Sequence, residues 1–151
     1  MTTIYLTTAS GTTWSVPADW SDTNTIECIG AGAGGSGGVY AGVAGGGGGA
    51  GAYSKITNLT GLSGTISFQV GAKGLGGASN ADGTSGGDTW FNGASLAASS
   101  VGAKGGTAAV TRTGGAGGAA ASGVGSTKYS GGTGGDANAS SGAQVGGGGG
   151  G

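Results

Sequence analysis

Apolar and polar residues alternate in short stretches along the first two-thirds of the chain. Thr13-Trp14-Ser15-Val16-Pro17 places Trp14 and Val16 on one face of an extended segment that Pro17 ends. Asn24-Thr25-Ile26-Glu27-Cys28-Ile29 predicts a strand with Ile26 and Cys28 on one side and Glu27 and Ile29 on the other. Tyr53–Thr57 has strand character, and Thr65–Val70 puts Ile66, Phe68 and Val70 on one face. Ile4–Thr7 is a further short strand candidate. Thr89-Trp90-Phe91 precedes Asn92-Gly93, a strong tight-turn dipeptide, so Ser95–Ala98 is the expected return strand. The core then draws on Trp14, Val16, Ile26, Cys28, Ile66, Phe68 and Val70.

Between and beyond these strands the pattern dissolves into glycine. The chain has 151 residues, of which 44 are Gly, several times the ordinary share of about 7%. Residues 102–151 contain no Ile, Leu, Phe, Trp or Met, so they hold no side chains for a conventional core. Within the glycine runs the unit Gly-Gly-x-Gly-Gly recurs at 34–38, 114–118 and 131–135, with Ser36, Ala116 and Thr133 at its centre. A polyproline II helix turns once every three residues. The unit therefore lays Gly on two faces and a small residue on the third. With no Cβ in the way, backbones can approach and exchange the hydrogen bonds that buried N–H and C=O groups require. The expected fold is all-β: a small antiparallel β-sandwich with a polyglycine II helix bundle and essentially no α-helix. Residues 1–101 form the sandwich, with glycine-rich insertions at 30–52 and 71–87, and 102–151 form a glycine-rich polyglycine II region.

Composition removes several kinds of chemistry. There is no His, and the net charge is −1 with five cations dispersed along the chain, so neither His-based catalysis nor a basic nucleic-acid surface is expected. Gly30-Ala31-Gly32-Ala33-Gly34-Gly35 follows a strand and matches the dinucleotide fingerprint. However, the glycines after it forbid the helix that must receive the pyrophosphate. The Gly-Ala-Lys-Gly units at 71–74 and 102–105 lack the Ser or Thr of a phosphate loop and read as turns. Residues 79–85 offer alternating oxygens without the bidentate Glu of a calcium loop and read as a polar surface loop. Cys28, the one cysteine, reads as a buried small hydrophobe. The chain is expected to be no enzyme, with no cofactor and no metal. The N-terminus has no basic region followed by an apolar run, so no signal peptide is expected.

Aromatic residues interrupting the glycine runs suggest loop tips. Val39 and Tyr40, and Lys128 and Tyr129, stand at such breaks. Together with Asn80 and Asp82 they are the candidate receptor-contact positions, since Tyr is common in recognition surfaces.

The ordered series Thr12–Ala18, Thr25–Gly32, Gly47–Tyr53, Ile66–Gly77 and Gly86–Gly93 resembles the glycine-rich domain of bacteriophage tail and fibre proteins. The resemblance covers about residues 10–107, with a looser fit beyond. It implies a β-sandwich from which polyglycine II helices extend, and phage fibre-tip adhesins of related character bind the host surface through loops between such helices. Members usually end in a Val/Ile-rich strand that Gly146–Gly151 does not supply. The expected role is a structural, host-recognition virion component made in the host cytoplasm. It is expected to associate with itself, as a trimer by analogy with fibres, and with other virion proteins, but not with nucleic acid or by membrane insertion. The other reading is an ice-binding or surface-coating protein with Ser36, Ala116 and Thr133 aligned on one plane.

Overall fold

A computed structural model describes residues 3–38, 43–138 and 147–150. Its strands are β1 (Thr13–Ser15), β2 (Thr25–Ile29), β3 (Tyr53–Thr57), β4 (Thr65–Gln69), β5 (Thr89–Phe91), β6 (Val101–Ala103) and β7 (Thr127–Tyr129). They form two antiparallel sheets, ordered β1-β4-β5-β6 and β2-β3-β7. Helical structure among the described residues is limited to single 3-10 turns at Thr8–Ser10 and Ala120–Ser122. The fold is all-β, as the alternation predicts.

The two sheets pack through the faces the sequence marks as apolar. Cys28 pairs across β3 with Ser54, and Ile26 with Ile56, so these four share the inner face. On the facing sheet, Trp14 lies opposite Ile66 and Phe68 opposite Phe91. Cys28, Ile66 and Phe68 are buried, while Trp14, Val16, Ile26 and Val70 pack against the core half-covered. The core also takes Ala52, Phe91, Val101 and Ala103. β6 lies across β2 and β3, and the Cys28 thiol donates to the Val101 carbonyl oxygen at 3.7 Å.

Three local expectations change. Ile4–Thr7 forms no strand. The Asn92 turn does open with positive φ, 57°, but the chain does not return at once. Residues 92–100 make successive turns, and the return strand is β6, with Val101 opposite Phe91. Ser95–Ala98 therefore pairs with nothing, because Leu96 folds back over Gly102 instead. Finally, the chain beyond 101 does reach the core. Small side chains suffice there, since Gly102 sits under Trp90, Leu96 and Ser99, and Ala103 is fully buried.

Eight glycine-rich tracts leave or enter the sheets among the described residues. Tracts 1 (30–38), 3 (71–78), 5 (104–110) and 7 (130–138) run outward from β2, β4, β6 and β7. Tracts 2 (45–52), 4 (81–87), 6 (113–119) and 8 (147–150) run back. Their backbone bonds are lateral and recur every three residues. The N–H groups of Gly30, Ala33 and Ser36 donate to Ala52, Gly49 and Gly46 of tract 2. Those of Ala31, Gly34 and Gly37 donate to Gly87, Thr84 and Ala81 of tract 4. That period is the three-residue turn of polyglycine II. The two insertions bond directly to tracts 5–8, so the glycine-rich parts form one bundle rather than separate regions on either side of residue 101.

The absence of Cβ is what allows this spacing. A Cβ on Gly117 would stand 2.0 Å from the Gly131 carbonyl oxygen, and one on Gly134 2.0 Å from that of Gly47. Ala116 and Thr133 between them are exposed. Gly117→Val and Gly134→Val should each lower the thermal midpoint and open the bundle to protease, whereas Ala116→Ser and Thr133→Ser should leave both unchanged. In the sandwich, Phe68→Ala should cost about 3–5 kcal/mol in denaturant unfolding, because Phe68 is 2% exposed.

Candidate functional site: the distal loops

Tracts 3 and 4, and tracts 5 and 6, are joined at the end of the bundle away from the sheets. Tracts 3 and 4 meet in a turn in which Ala81 N–H donates to Ala78 at 2.9 Å and Asn80 takes φ 60°. Tracts 5 and 6 meet in a tighter one. Val110 and Thr113 exchange backbone bonds of 3.1 and 2.9 Å, and Thr111 takes φ 50°.

Side-chain acceptors tie these turns to each other. Asp82 Oδ1 accepts from Thr111 N–H at 2.7 Å, and Asp136 Oδ1 accepts from Gly114 N–H at 2.7 Å. The Thr111 carbonyl accepts from Gly46 N–H at 3.0 Å and from the Ser36 hydroxyl. Ala137 N–H donates to the Arg112 carbonyl at 2.8 Å. Around them Thr111, Arg112, Thr113, Asp136 and Ala137 line an open depression of about 250 Å3. The Arg112 guanidinium is exposed and makes no hydrogen bond or ion pair among the described residues.

Asn80 and Asp82 therefore do stand at the distal end. Val39 and Tyr40 lie outside the described residues. Lys128 and Tyr129 do not stand at a tip, because residues 127–129 find a strand partner in β3. Lys128 Nζ donates to the Gly123 carbonyl at 3.0 Å, and the Tyr129 ring stacks on Tyr53 with centroids 6.0 Å apart. Sequence reasoning missed Thr111 and Arg112. The available signal was Val-Thr-Arg-Thr between two glycine runs, holding the only arginine of the chain.

Chemically, this end can offer a guanidinium, two carboxylates and backbone amides to a polar ligand. No group of three His, Cys, Asp or Glu that could hold a metal ion occurs among the described residues. Ser36 spends its hydroxyl inside the bundle, accepting from Gly46 N–H and donating to Thr111, so it does not form an open plane with Ala116 and Thr133. A second, larger concavity of about 860 Å3 opens between the sheets beside β2 and is lined by Trp14, Trp20, Ile26, Phe68 and Phe91 among others. Trp20 Nε1 is buried there without a hydrogen-bond partner. On the outer face of β2–β3, loss of solvation and, after it, the hydrogen bond with Glu27 raise the Tyr53 phenol above its usual range.

Burial pushes the Cys28 thiol up to about 12. A thiol held protonated in the fold but free to ionise when unfolded favours the unfolded chain as pH rises. Stability should therefore fall from about pH 9 towards pH 12, with a slope approaching about 1.4 kcal/mol per unit. Urea unfolding across that range should show a component that Cys28→Ala removes. At the distal end, Asp82→Ala should release the Thr111 amide, read as faster hydrogen exchange at Thr111 with exchange in β2–β3 unchanged.

No curated protein and no solved structure matches the chain. The model of a glycine-rich domain family matches residues 7–151, which takes in all seven strands and the glycine tracts alike. The chain thus belongs to the glycine-rich domain family.

Proposed function

We propose that the chain is a structural, host-recognition component of a bacteriophage virion, in a tail, tail fibre or spike, and that it is not an enzyme. The observation that carries this reading is positional. The fold gathers the turns around Asn80, Asp82 and Arg112 at one end of a rigid bundle and puts the sheets at the other. A scaffold held by backbone bonds lets those loops vary in sequence without disturbing what carries them. The sequence resemblance to phage tail and fibre domains supports the same role.

In this role the sandwich end faces the particle and the distal loops face a cell-surface receptor. Many copies on one particle sum weak contacts into firm attachment. The protein is made in the host cytoplasm and leaves with the virion. It requires no cofactor. Arg112, Asn80 and Asp82 are the contact residues assigned among the described positions.

Two measurements test the reading. Antibody raised to the chain should label tails or fibres of purified particles, and absence of the chain from every purified particle would contradict it. Purified protein should also compete with particles for adsorption to susceptible cells. Arg112→Ala should weaken that competition roughly tenfold, about 1.4 kcal/mol, with the melting temperature unchanged.

A further inference from the structure

A polyglycine II tract has three residues per turn, each with one N–H and one C=O directed outward. Donors and acceptors therefore alternate around the tract at about 60° intervals, giving six neighbour positions. Tract 2 bonds to tracts 1, 5, 6, 7 and 8. Around it, tract 1 bonds to 5, 5 to 6, 6 to 7 and 7 to 8, but 8 does not bond to 1. Among the described residues five positions are filled, and the sixth, between tracts 8 and 1, holds none of them.

The open position is lined by unused backbone groups. The N–H groups of Gly45, Gly48 and Gly51, spaced by three, donate to nothing among the described residues. By the same periodicity the carbonyls of Gly30 and Ala33 on one side, and of Gly147 and Gly150 on the other, face it and accept no hydrogen bond. Gly48 is nevertheless a buried residue, and a buried donor without a partner is costly. Among the described residues, tract 8 has no neighbour on its far side. A Cβ placed on Gly148 or Gly149 would meet nothing within 4 Å, and neither Gly149 backbone group is bonded.

The sheet above continues this surface. Tract 5 extends β6, which covers the inner face of β2–β3, and tract 8 lies across tract 2 from tract 5. Tract 8 and the open position are thus on the side of the sheet's outer face. There Ile29, Tyr53 and Tyr129 form an apolar row, with Ile29 67% and Tyr129 64% exposed.

We propose that this side is the interface of a homotrimer whose three-fold axis runs along the tracts, with tract 8 of each copy filling the open position of the next. The hydrogen-bond sense selects the symmetry. An occupant must show carbonyls to tract 2 and N–H groups to tracts 1 and 8. A half-turn about the tract direction exchanges the donor and acceptor directions and sets N–H against N–H. A one-third turn returns each set onto itself. In the trimer the three copies of tract 8 meet at the axis, and the Gly149 carbonyl of one copy accepts from Gly48 of the next. The same rotation lays tract 7 of the first copy over the N–H groups of Gly32 and Gly35 of the next, which donate to nothing among the described residues. The Ile29–Tyr53–Tyr129 rows then face the axis, and no new side-chain fit is needed within the bundle. This interface is independent of what the distal loops bind.

The test is the mass of the 151-residue chain in solution at micromolar concentration, by light scattering on a sizing column. The wild type should elute at three times its 13.5 kDa chain mass. Gly149→Val meets no atom of the described residues within one copy, so it should fold with an unchanged circular-dichroism spectrum yet run as a monomer. Ile29→Lys, on the sheet, should weaken the trimer independently, while Ala116→Val, on the opposite side, should leave it intact. A wild-type monomer, which would leave the open position to some other occupant, or a dimer would overturn the proposal. So would full trimer mass in both Gly149→Val and Ile29→Lys.

Discussion

The structure depends on one interaction, the backbone N–H···O=C bond between glycine tracts, repeated every third residue. Such bonds alone are weak, each contributing on the order of 1 kcal/mol net. Ordering glycine costs more backbone entropy than ordering any other residue. The bundle offsets that cost by density: tract 2 bonds to five neighbours at once. The bonds run backbone to backbone, and a Cβ at most of these glycines would strike a carbonyl oxygen. The composition that looks like low complexity is therefore a packing requirement.

The sandwich supplies what the bundle cannot, a defined starting register. β2–β3 fixes tracts 1 and 2 opposite one another, and the bonding simply continues, from Cys28 opposite Ser54 to Gly30 N–H donating to Ala52 at 2.9 Å. β5–β6 does the same for tracts 4 and 5. At that junction Asp88 takes the Lys104 ammonium at 3.1 Å and the Gly105 N–H at 2.9 Å, pinning the start of tract 5. The salt bridge itself is half-exposed and worth little, but the paired backbone bond sets the phase of everything beyond it. Rigidity at the distal end follows from register at the sheets.

Strands with period-two alternation were legible in the sequence because their inner faces carry bulky residues: Ile66 and Phe68 on β4, Ile26 and Cys28 on β2. The three-residue period of the bundle was also legible, from the Gly-Gly-x-Gly-Gly units. β6 and β7 were not. Val-Gly-Ala and Thr-Lys-Tyr have almost no alternation to read, and partners far along the chain make them strands. Tyr129 stood out as an aromatic in a glycine run for the same reason that misplaced it, because the ring serves a sheet face. Arg112 could have been found as a lone cation between two runs, but only the Val110–Thr113 turn shows it to be at the tip.

Amide hydrogen exchange tests the central claim most directly. Bundle amides such as Gly34, Gly49 and Gly118 are each bonded to a neighbouring tract and lie outside the hydrophobic core. If lateral backbone bonds hold the bundle, these glycines exchange only with global unfolding, with protection equal to that of Cys28 and Phe68 in the sheets. Exchange of Gly34, Gly49 and Gly118 at the rate of an unstructured peptide, with the sandwich amides still protected, would contradict it.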